Sequence, residues 1–575
     1  MTPGVSHRTQ DNAAERPEQA PRRGFVRDLL ISLSLVNLLH LLAWQEMNSA
    51  YTNSLNYYRD DPPRLVLLGA LVLSELALAG ILALAMSLVR RWENASMMRV
   101  AQWAFLGTLC LSVEIVRRNL VDVPGVFVYP ALANVALVAL EILILLGCIL
   151  LLFRMDFILR IGLGVTLALS PLALVSTFYV VATIPSKGAF AAKPGPCLDA
   201  SDASAPRIIW LVFDELDQRY SLELRPPSVD MPALGRLGRE TIQANRVRAA
   251  GADTLSALAS LICGRIVDRA VPEGERDLLI GFKGSPALVR WSEQPNIFKQ
   301  VRELGLGLGM VGWYHPYARV FPGLFCEVAW RPNTDSSPLA MRQEYAASSG
   351  WVPAVRDQLL RDLLFLPLPG GIGERLNRHL ATAEMDLLRR RNRDDFVWLR
   401  RRALQMAADP RLGFLFIHLP IPHPLGIYNR HHDEITLDRS SNYFDNLELV
   451  DVTIRDLRAA MENAGQWDKT VVFVTSDHGL RPRVWNFRPT WTPEEKAVTS
   501  RGEDRWVPFF LKLSRQKEGI AFDGEFNAIT MHQMTLAIAR GEIGTVSNAL
   551  AWLERSSAPR EGLQAQNPDM RRGLH

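Results

Sequence analysis

Four residues at the ends of two apolar runs carry the most legible chemistry in this chain. RIIWLVFDELD (207–217) delivers Asp214 and Glu215 after its run, and TVVFVTSDHG (470–479) delivers Asp477 and His478. Carboxylates and an imidazole are the oxygen and nitrogen donors that hold Zn²⁺, Mn²⁺ or a related divalent ion. Taken singly, an aspartate at a strand end also serves as a helix N-cap, and a lone histidine also serves as a hydrogen-bonded structural residue. The four together argue for a metal centre. Gly479, directly after the pair, lets the chain turn closely past an ion.

Three runs must position these groups. The six-residue apolar stretch after Arg207 suits a strand buried on both faces of a parallel sheet, and GFLFIHLPIPHP (413–424) and TVVFVTSDHG repeat the plan. All three end in Asp, Glu or His, where open α/β sheets place their sites. Between them lie stretches with apolar residues at helical spacing, such as NLELVDVTIRDLRAAMENAG (446–465), with Gly465 as its stop. The pattern predicts an α/β domain with a central, mostly parallel sheet and helices on both faces. VPAVRDQLLRDLLFLPLPGG (352–371) is expected to pack as a helix on that sheet, its amphipathic first part also suiting a membrane surface. The Arg-rich stretch 386–407 is expected to be a solvated helix face, with contact to anionic lipid headgroups as the alternative, and His431 and His432 are expected at the surface.

The first third of the 575 residues has a different character. Five stretches, 28–47, 64–89, 100–117, 130–153 and 159–183, are apolar over lengths near the ~20 residues a bilayer crossing needs. Arginines 22, 23, 27, 90, 91, 99, 154 and 160 outweigh those at 59, 64, 117 and 118, which puts the N-terminus in the cytoplasm. Five crossings then place the C-terminal domain outside, which in a bacterium with two membranes is the periplasm. The predicted plan is a cytoplasmic segment (1–27), an N-terminal α-helical transmembrane bundle (28–184), a Pro- and Ala-rich linker (185–206), the α/β domain (207–555) and a loose tail (556–575). Glu75, Glu114 and Glu141 fall inside spans, where a carboxylate has either a structural partner, such as His40 for Glu75, or a lipid-binding role. Of the five cysteines, Cys110 and Cys148 lie in spans. Cys197, Cys263 and Cys326 lie in the external part, where one disulfide can form and the pair is not specified. A net charge of +4 without a basic block interleaved with aromatics argues against nucleic acid as a partner.

RIIWLVFDELD, ADTLSALASLICG (252–264), PHP (422–424) and NAGQWDKTVVFVTSDHG (463–479) resemble, in order, the motifs of the sulfatase-like branch of the alkaline phosphatase superfamily, from about Arg207 to about Gly541. Five spans followed by such a domain further resemble the membrane-anchored lipoteichoic acid synthases and lipid A phosphoethanolamine transferases. The resemblance implies that Asp214 and Glu215 are acidic metal ligands, that Asp477 and His478 are the later ligand pair, and that Thr254 is nucleophile and ligand. It further implies that His423 assists substrate or leaving group, that His315 in GWYHPYARVFPG is a second substrate-side histidine, and that Arg319 binds an anionic oxygen beside it.

Thr254 separates the branches. Sulfatases need a Cys or Ser converted to formylglycine, with Pro two and Arg four residues on, whereas this chain has Thr254, Ser256 and Leu258. Threonine cannot become formylglycine. A threonine hydroxyl against a divalent metal attacks phosphorus instead and forms a phosphothreonine. DTLSALASLI is also a good helix start, with Asp253 and Thr254 before an apolar run. The expectation is a metal-dependent enzyme of the bacterial inner membrane. It would pass a phosphoethanolamine- or phosphoglycerol-type headgroup from a phospholipid donor to an envelope glycan or lipid acceptor. The alternatives are a hydrolase of the same family, a phosphodiesterase or atypical sulfatase, and a non-catalytic membrane-anchored binding protein.

Overall fold

The computed structural model describes residues 20–40, 64–89, 99–108, 155–183, 194–197, 206–332, 349–364, 370–486, 490–499 and 505–557, with isolated positions between them. Glu114, Glu141, Cys110 and Cys148, nearly all of the fourth expected span, and most of the linker and tail lie outside the described residues. Contacts divide the chain into two units. One comprises Met1–Ser49, Pro63–Ile184 and Gln343–Pro367, and the other comprises Ala50–Pro62, Pro185–Arg342 and Leu368–His575.

The first unit is helical. Among the described residues its helices include Ala20–Leu39, Arg64–Val89, Met155–Ala168, Pro171–Thr183 and Trp351–Leu364. Among the described residues, Leu65–Val89 and Leu159–Phe178 are long and apolar enough to cross a membrane. They leave large apolar side chains uncovered, among them Leu65, Ile81, Leu174 and Phe178. The helix Trp351–Leu364 does not pack on the sheet, as the sequence led us to expect, but on Arg64–Val89. The Trp351 ring lies so close to Gly69 that a Cβ there would come within 2.1 Å of it.

The second unit is built on a nine-stranded sheet. In chain order its strands are β1 (Arg207–Asp214), β2 (Ile242–Arg248), β3 (Leu308–Tyr314), β4 (Glu327–Pro332), β5 (Phe414–Pro422), β6 (Thr470–Ser476), β7 (Trp506–Lys512), β8 (Ile520–Phe522) and β9 (Phe526–Asn527). The spatial order is β8-β2-β7-β6-β1-β5-β3-β4, with β9 also beside β2. Only β7 runs against its neighbours. β1 is the centre, parallel to β6 on one side and β5 on the other.

The period of two along β1 explains why it reads as an unbroken apolar run. Ile208, Trp210 and Val212 join the core on one face, and Ile209, Leu211 and Phe213 join the core on the other. The helix Thr254–Cys263 covers the first face, and Tyr443–Asn463 packs against the second. The latter starts with a capping box between Asn442 and Asp445 and is followed by Gly465 at φ 64°. Arg207 is buried at the foot of β1, donating to the carbonyls of Met406, Asp409 and Leu412. The Arg-rich segment continues a long helix, Gly370–Ala408, and is only partly solvated. Arg389 is buried and donates to the carbonyls of Gly426, Asp438 and Ser441, tying the helix to the loop after β5. His431 and His432 are exposed, as expected.

The structure also distinguishes Cys197, Cys263 and Cys326, which all lie in the second unit. Cys197 sits against Cys326, held there by a bond from Gly195 N to Phe325 O at 2.8 Å, while Cys263 is buried at the end of the helix Thr254–Cys263. Burial, then the neighbouring Cys197, push the Cys326 thiol up to about 12, and the two side chains are adjacent. We expect mild oxidation of the intact protein to join Cys197 to Cys326 and leave Cys263 a free thiol. Peptide mass mapping checks this, and a bridge that includes Cys263 would contradict the placement.

Candidate metal centre

The carboxyl ends of β1 and β6 are locked side by side. Phe213 pairs with Ser476 in the parallel register, so the residues that follow, Asp214 and Asp477, emerge together. Ser476 Oγ accepts from Leu216 N at 2.8 Å and lies within bonding distance of the carbonyls of Phe213 and His478. Asp477 Oδ1 accepts from the backbone N–H of His478 at 2.7 Å and of Glu215 at 3.2 Å. Glu215 takes φ 61°, a left-handed conformation that costs a non-glycine residue free energy and that recurs at functional turns.

Asp214, Asp477 and His478 bring one ligand atom each within 4.8 Å of one another, all three fully or almost fully buried. His478 Nδ1 lies 2.9 Å from the carbonyl of Gly479. A carbonyl only accepts, so the ring proton sits on Nδ1 and the lone pair of Nε2 faces the carboxylates, 3.4 Å from Asp477 Oδ2 and 3.7 Å from Asp214 Oδ1. Thr254, the first residue of its helix, places Oγ1 3.1 Å from that Nε2 and 3.4 Å from Asp214 Oδ1. Asp253 is the helix N-cap, accepting from Ser256 N at 2.9 Å, which leaves the Thr254 hydroxyl to the site.

The electrostatics fit a cation. Oδ2 of Asp214 and Oδ2 of Asp477 are buried without a hydrogen-bond partner, a costly state for a carboxylate unless an ion takes the oxygen. Burial, then the charges of Asp477 and Glu215, push the Asp214 carboxyl well above the usual carboxylate range. Burial opposes ionisation of Asp477 as well, but the charge that His478 and His418 carry when protonated, and the two backbone N–H groups, outweigh it and hold this acid low. Two acids and an imidazole nitrogen, with a hydroxyl beside them, make a suitable donor set for Zn²⁺ or Mn²⁺.

The other expected site residues fall into two groups. Glu215 is buried beside Asp214, but its carboxylate is taken by Arg481, Nε to Oε1 2.7 Å, and by Trp485 Nε1 at 3.0 Å. It is therefore bound as a counter-ion and lies outside the cluster of three. Arg319 is also engaged elsewhere, donating to the carbonyl of Tyr57 at 2.7 Å and lying over the ring of Trp330. His315 and His423 are buried. His423 Nδ1 lies 3.2 Å from the carbonyl of Pro424, and its ring packs edge-on between Trp313 and Trp485.

Two members of the site escaped the sequence reading. Arg481 follows the SDHG motif by two residues. Burial works against its charge, but the carboxylates of Glu215 and Asp214 outweigh burial and keep it protonated beside the acids. His418, the first residue of HLPIPHP, lies inside an apolar run and reads as a strand residue. Its Nδ1 faces the carbonyl of Trp313 at 3.0 Å, so its Nε2 carries a lone pair, which is buried and unpartnered. The sequence signal was the i, i+5 spacing of His418 in that strand and His423 just after it.

With fold and geometry in hand, comparison places the α/β unit. A sequence profile described as Sulfatase matches residues 206–535, more than half of the chain. The chain belongs to the sulfatase family. It is similar to the PsFucS1 sulfatase from Pseudoalteromonas sp., with 14% identity over 60% of this chain and 68% of that one at a TM-score of 0.37. It is also similar to the phosphonate monoester hydrolase of Agrobacterium radiobacter, with 14% identity over 57% and 72% at 0.33. A Vibrio parahaemolyticus protein of the alkaline phosphatase superfamily matches at 13% identity over 60% and 68% at 0.33. No curated protein matches the chain in sequence.

The arrangement orders the ligands. Asp477→Asn should weaken Zn²⁺ or Mn²⁺ binding by more than the ~10–100-fold that loss of a partner behind a ligand costs. Glu215→Gln should weaken it less, because Arg481 and Trp485 already hold that carboxylate. Metal titration by calorimetry on the full chain checks the ranking, and a larger loss in the Glu215 variant would contradict it.

Proposed function

We propose that this sulfatase-family protein is a membrane-anchored phosphotransferase. It takes a phosphorus-containing headgroup, of the phosphoethanolamine or phosphoglycerol type, from a phospholipid and passes it through Thr254 to an envelope glycan or lipid. The observation that carries the reading is the Thr254 hydroxyl, buried at a helix start within hydrogen-bond reach of Asp214 and His478. Threonine cannot supply the formylglycine of sulfate-ester hydrolysis, and its oxygen is a nucleophile for phosphorus. The apolar spans Leu65–Val89 and Leu159–Phe178, with their uncovered side chains, support an anchor in the inner membrane, with the α/β domain on the periplasmic face where donor lipid is available.

Asp214, Asp477 and His478 would hold the divalent ion, Zn²⁺ or Mn²⁺, with Thr254 completing the set. Once bound, the ion supplies Lewis acidity that favours the threonine alkoxide and offsets charge on the phosphoryl oxygens. Thr254 Oγ1 loses its proton and attacks phosphorus, and the diacylglycerol oxygen leaves with the bonding pair of the broken P–O bond and takes up that proton. The acceptor hydroxyl then attacks the phosphothreonine and returns Oγ1. His423 keeps its proton on Nδ1 toward Pro424 and offers Nε2 as the base for that hydroxyl. Arg481 places a fixed positive charge beside the acids and offsets the charge of an incoming anion.

The family itself favours a second reading, in which water is the acceptor and the protein is a phosphodiesterase. Full-length protein in vesicles of phosphatidylethanolamine and phosphatidylglycerol, supplied with an envelope lipid extract, separates the two. Transfer releases diacylglycerol and modifies an acceptor, whereas hydrolysis releases free headgroup with none modified. Thr254→Ala should lower either rate by ~10³-fold or more, the scale on which loss of a nucleophile acts. Wild-type turnover in that variant would sink both readings.

A further inference from the structure

One histidine of the site is held differently from the rest. His418, His423 and His478 each set Nδ1 against a backbone carbonyl, which fixes the proton there and leaves Nε2 as the lone-pair nitrogen. The Nδ1 of His315 faces instead the phenol oxygen of Tyr57, at 2.7 Å. Tyr57 does not come from the sheet or its helices. It belongs to the segment Ala50–Pro62, which clusters with the α/β unit although the chain on both sides of it belongs to the helical unit.

The contact is built, with both groups wholly buried. Arg319 donates to the Tyr57 carbonyl at 2.7 Å, and Tyr58 packs edge-on against Tyr314 at 5.5 Å. Tyr314, directly before the histidine, adopts φ 81°, a strained conformation that the surroundings must hold in place. Trp291 closes on the His315 ring at 4.8 Å. Among the described residues the Tyr57 hydroxyl has no other acceptor. If Nδ1 carried the ring proton, the phenol proton would be buried without a partner, at a cost typical of an unsatisfied donor. The arrangement that satisfies both groups has Tyr57 donating to Nδ1, which puts the imidazole proton on Nε2. That nitrogen is buried with no hydrogen bond of ordinary length, and the backbone of Thr254 and Leu255, where the nucleophile's helix begins, lies against the ring as an acceptor.

We propose that Tyr57 is a positioning residue that completes the active site from the segment between the first two helical spans, fixing His315 as a neutral Nε2–H donor to an anionic oxygen of the group being transferred. The histidine assignments then divide by task. His478 offers a lone pair to a cation and His423 a lone pair to a hydroxyl, while His315 offers a proton to an oxyanion, and it needs a donor at Nδ1 to do so. The role at the oxyanion rests on the phosphotransfer reading; the tautomer does not.

The test uses full-length protein in nanodiscs, as wild type and as Tyr57→Phe, which removes one oxygen and keeps the ring. Nitrogen-15 histidine spectra, with the His315 signals assigned by their loss in His315→Gln, report the hydrogen bond at Nδ1 without any substrate. Turnover of bis(p-nitrophenyl) phosphate reports the catalytic consequence. We expect the variant to keep its metal content and melting temperature and to move the Nδ1 resonance toward that of a nitrogen accepting no hydrogen bond. Its kcat/KM should fall about tenfold, less than the ~10²–10³ lost with an oxyanion donor itself. An unchanged Nδ1 resonance overturns the proposal whatever the kinetics do. A changed resonance with kcat/KM within twofold of wild type overturns the positioning role. Absence of phosphoester turnover in the wild type overturns the functional reading and the role at the oxyanion, while the resonance still decides whether Tyr57 sets the tautomer.

Discussion

Two buried carboxylates on adjacent parallel strands are the constraint around which the α/β unit is organised. Asp214 and Asp477 emerge together because β1 and β6 are in register through Phe213 and Ser476, and both are fully buried. Like charges at such a distance in a low dielectric raise the free energy of the folded state unless something positive stands between them. The fold answers with two backbone N–H groups on Asp477 and with Arg481 across Glu215. Oδ2 of each acid makes no hydrogen bond, which suits it to a divalent ion.

The remaining features of the site follow from that requirement. The central strands must be buried on both faces to keep solvent from the acids, so each is apolar along its length and polar only at its carboxyl end. The helix Thr254–Cys263 covers one face and brings its first hydroxyl to the acids, while Asp253 takes the capping role that would otherwise compete for Thr254. The Thr254 hydroxyl, the two acids and the helix start are thus set by one junction of strand ends. The same geometry suits transfer to an alcohol or to water, and the acceptor decides between the two readings.

The sheet was legible because its strands are short, continuous apolar runs, and the acids were legible because they interrupt such runs. Features set by long-range packing were not. Nothing local to Glu215 says that Arg481 and Trp485 will claim its carboxylate, and nothing near residue 352 says that Trp351 will seat on Gly69 rather than over the sheet. Arg389 looked like one of several solvated arginines, and only the loop that folds over it supplies the carbonyls that bury it. Tyr57 lies 258 residues from the histidine it bonds, in a segment whose composition carries no catalytic signal. His418 was hidden because a histidine inside an apolar run reads as a strand residue.

The central claim is that Thr254 carries the transferred group. Intact mass and site mapping of the full-length protein test it most directly, after brief incubation with Zn²⁺ or Mn²⁺ and a mixed phospholipid extract, with Thr254→Ala alongside. The account predicts a phosphorus-containing mass increment on Thr254 of the wild type and none in the variant. An increment that persists in Thr254→Ala would contradict it, as would rapid turnover by the variant.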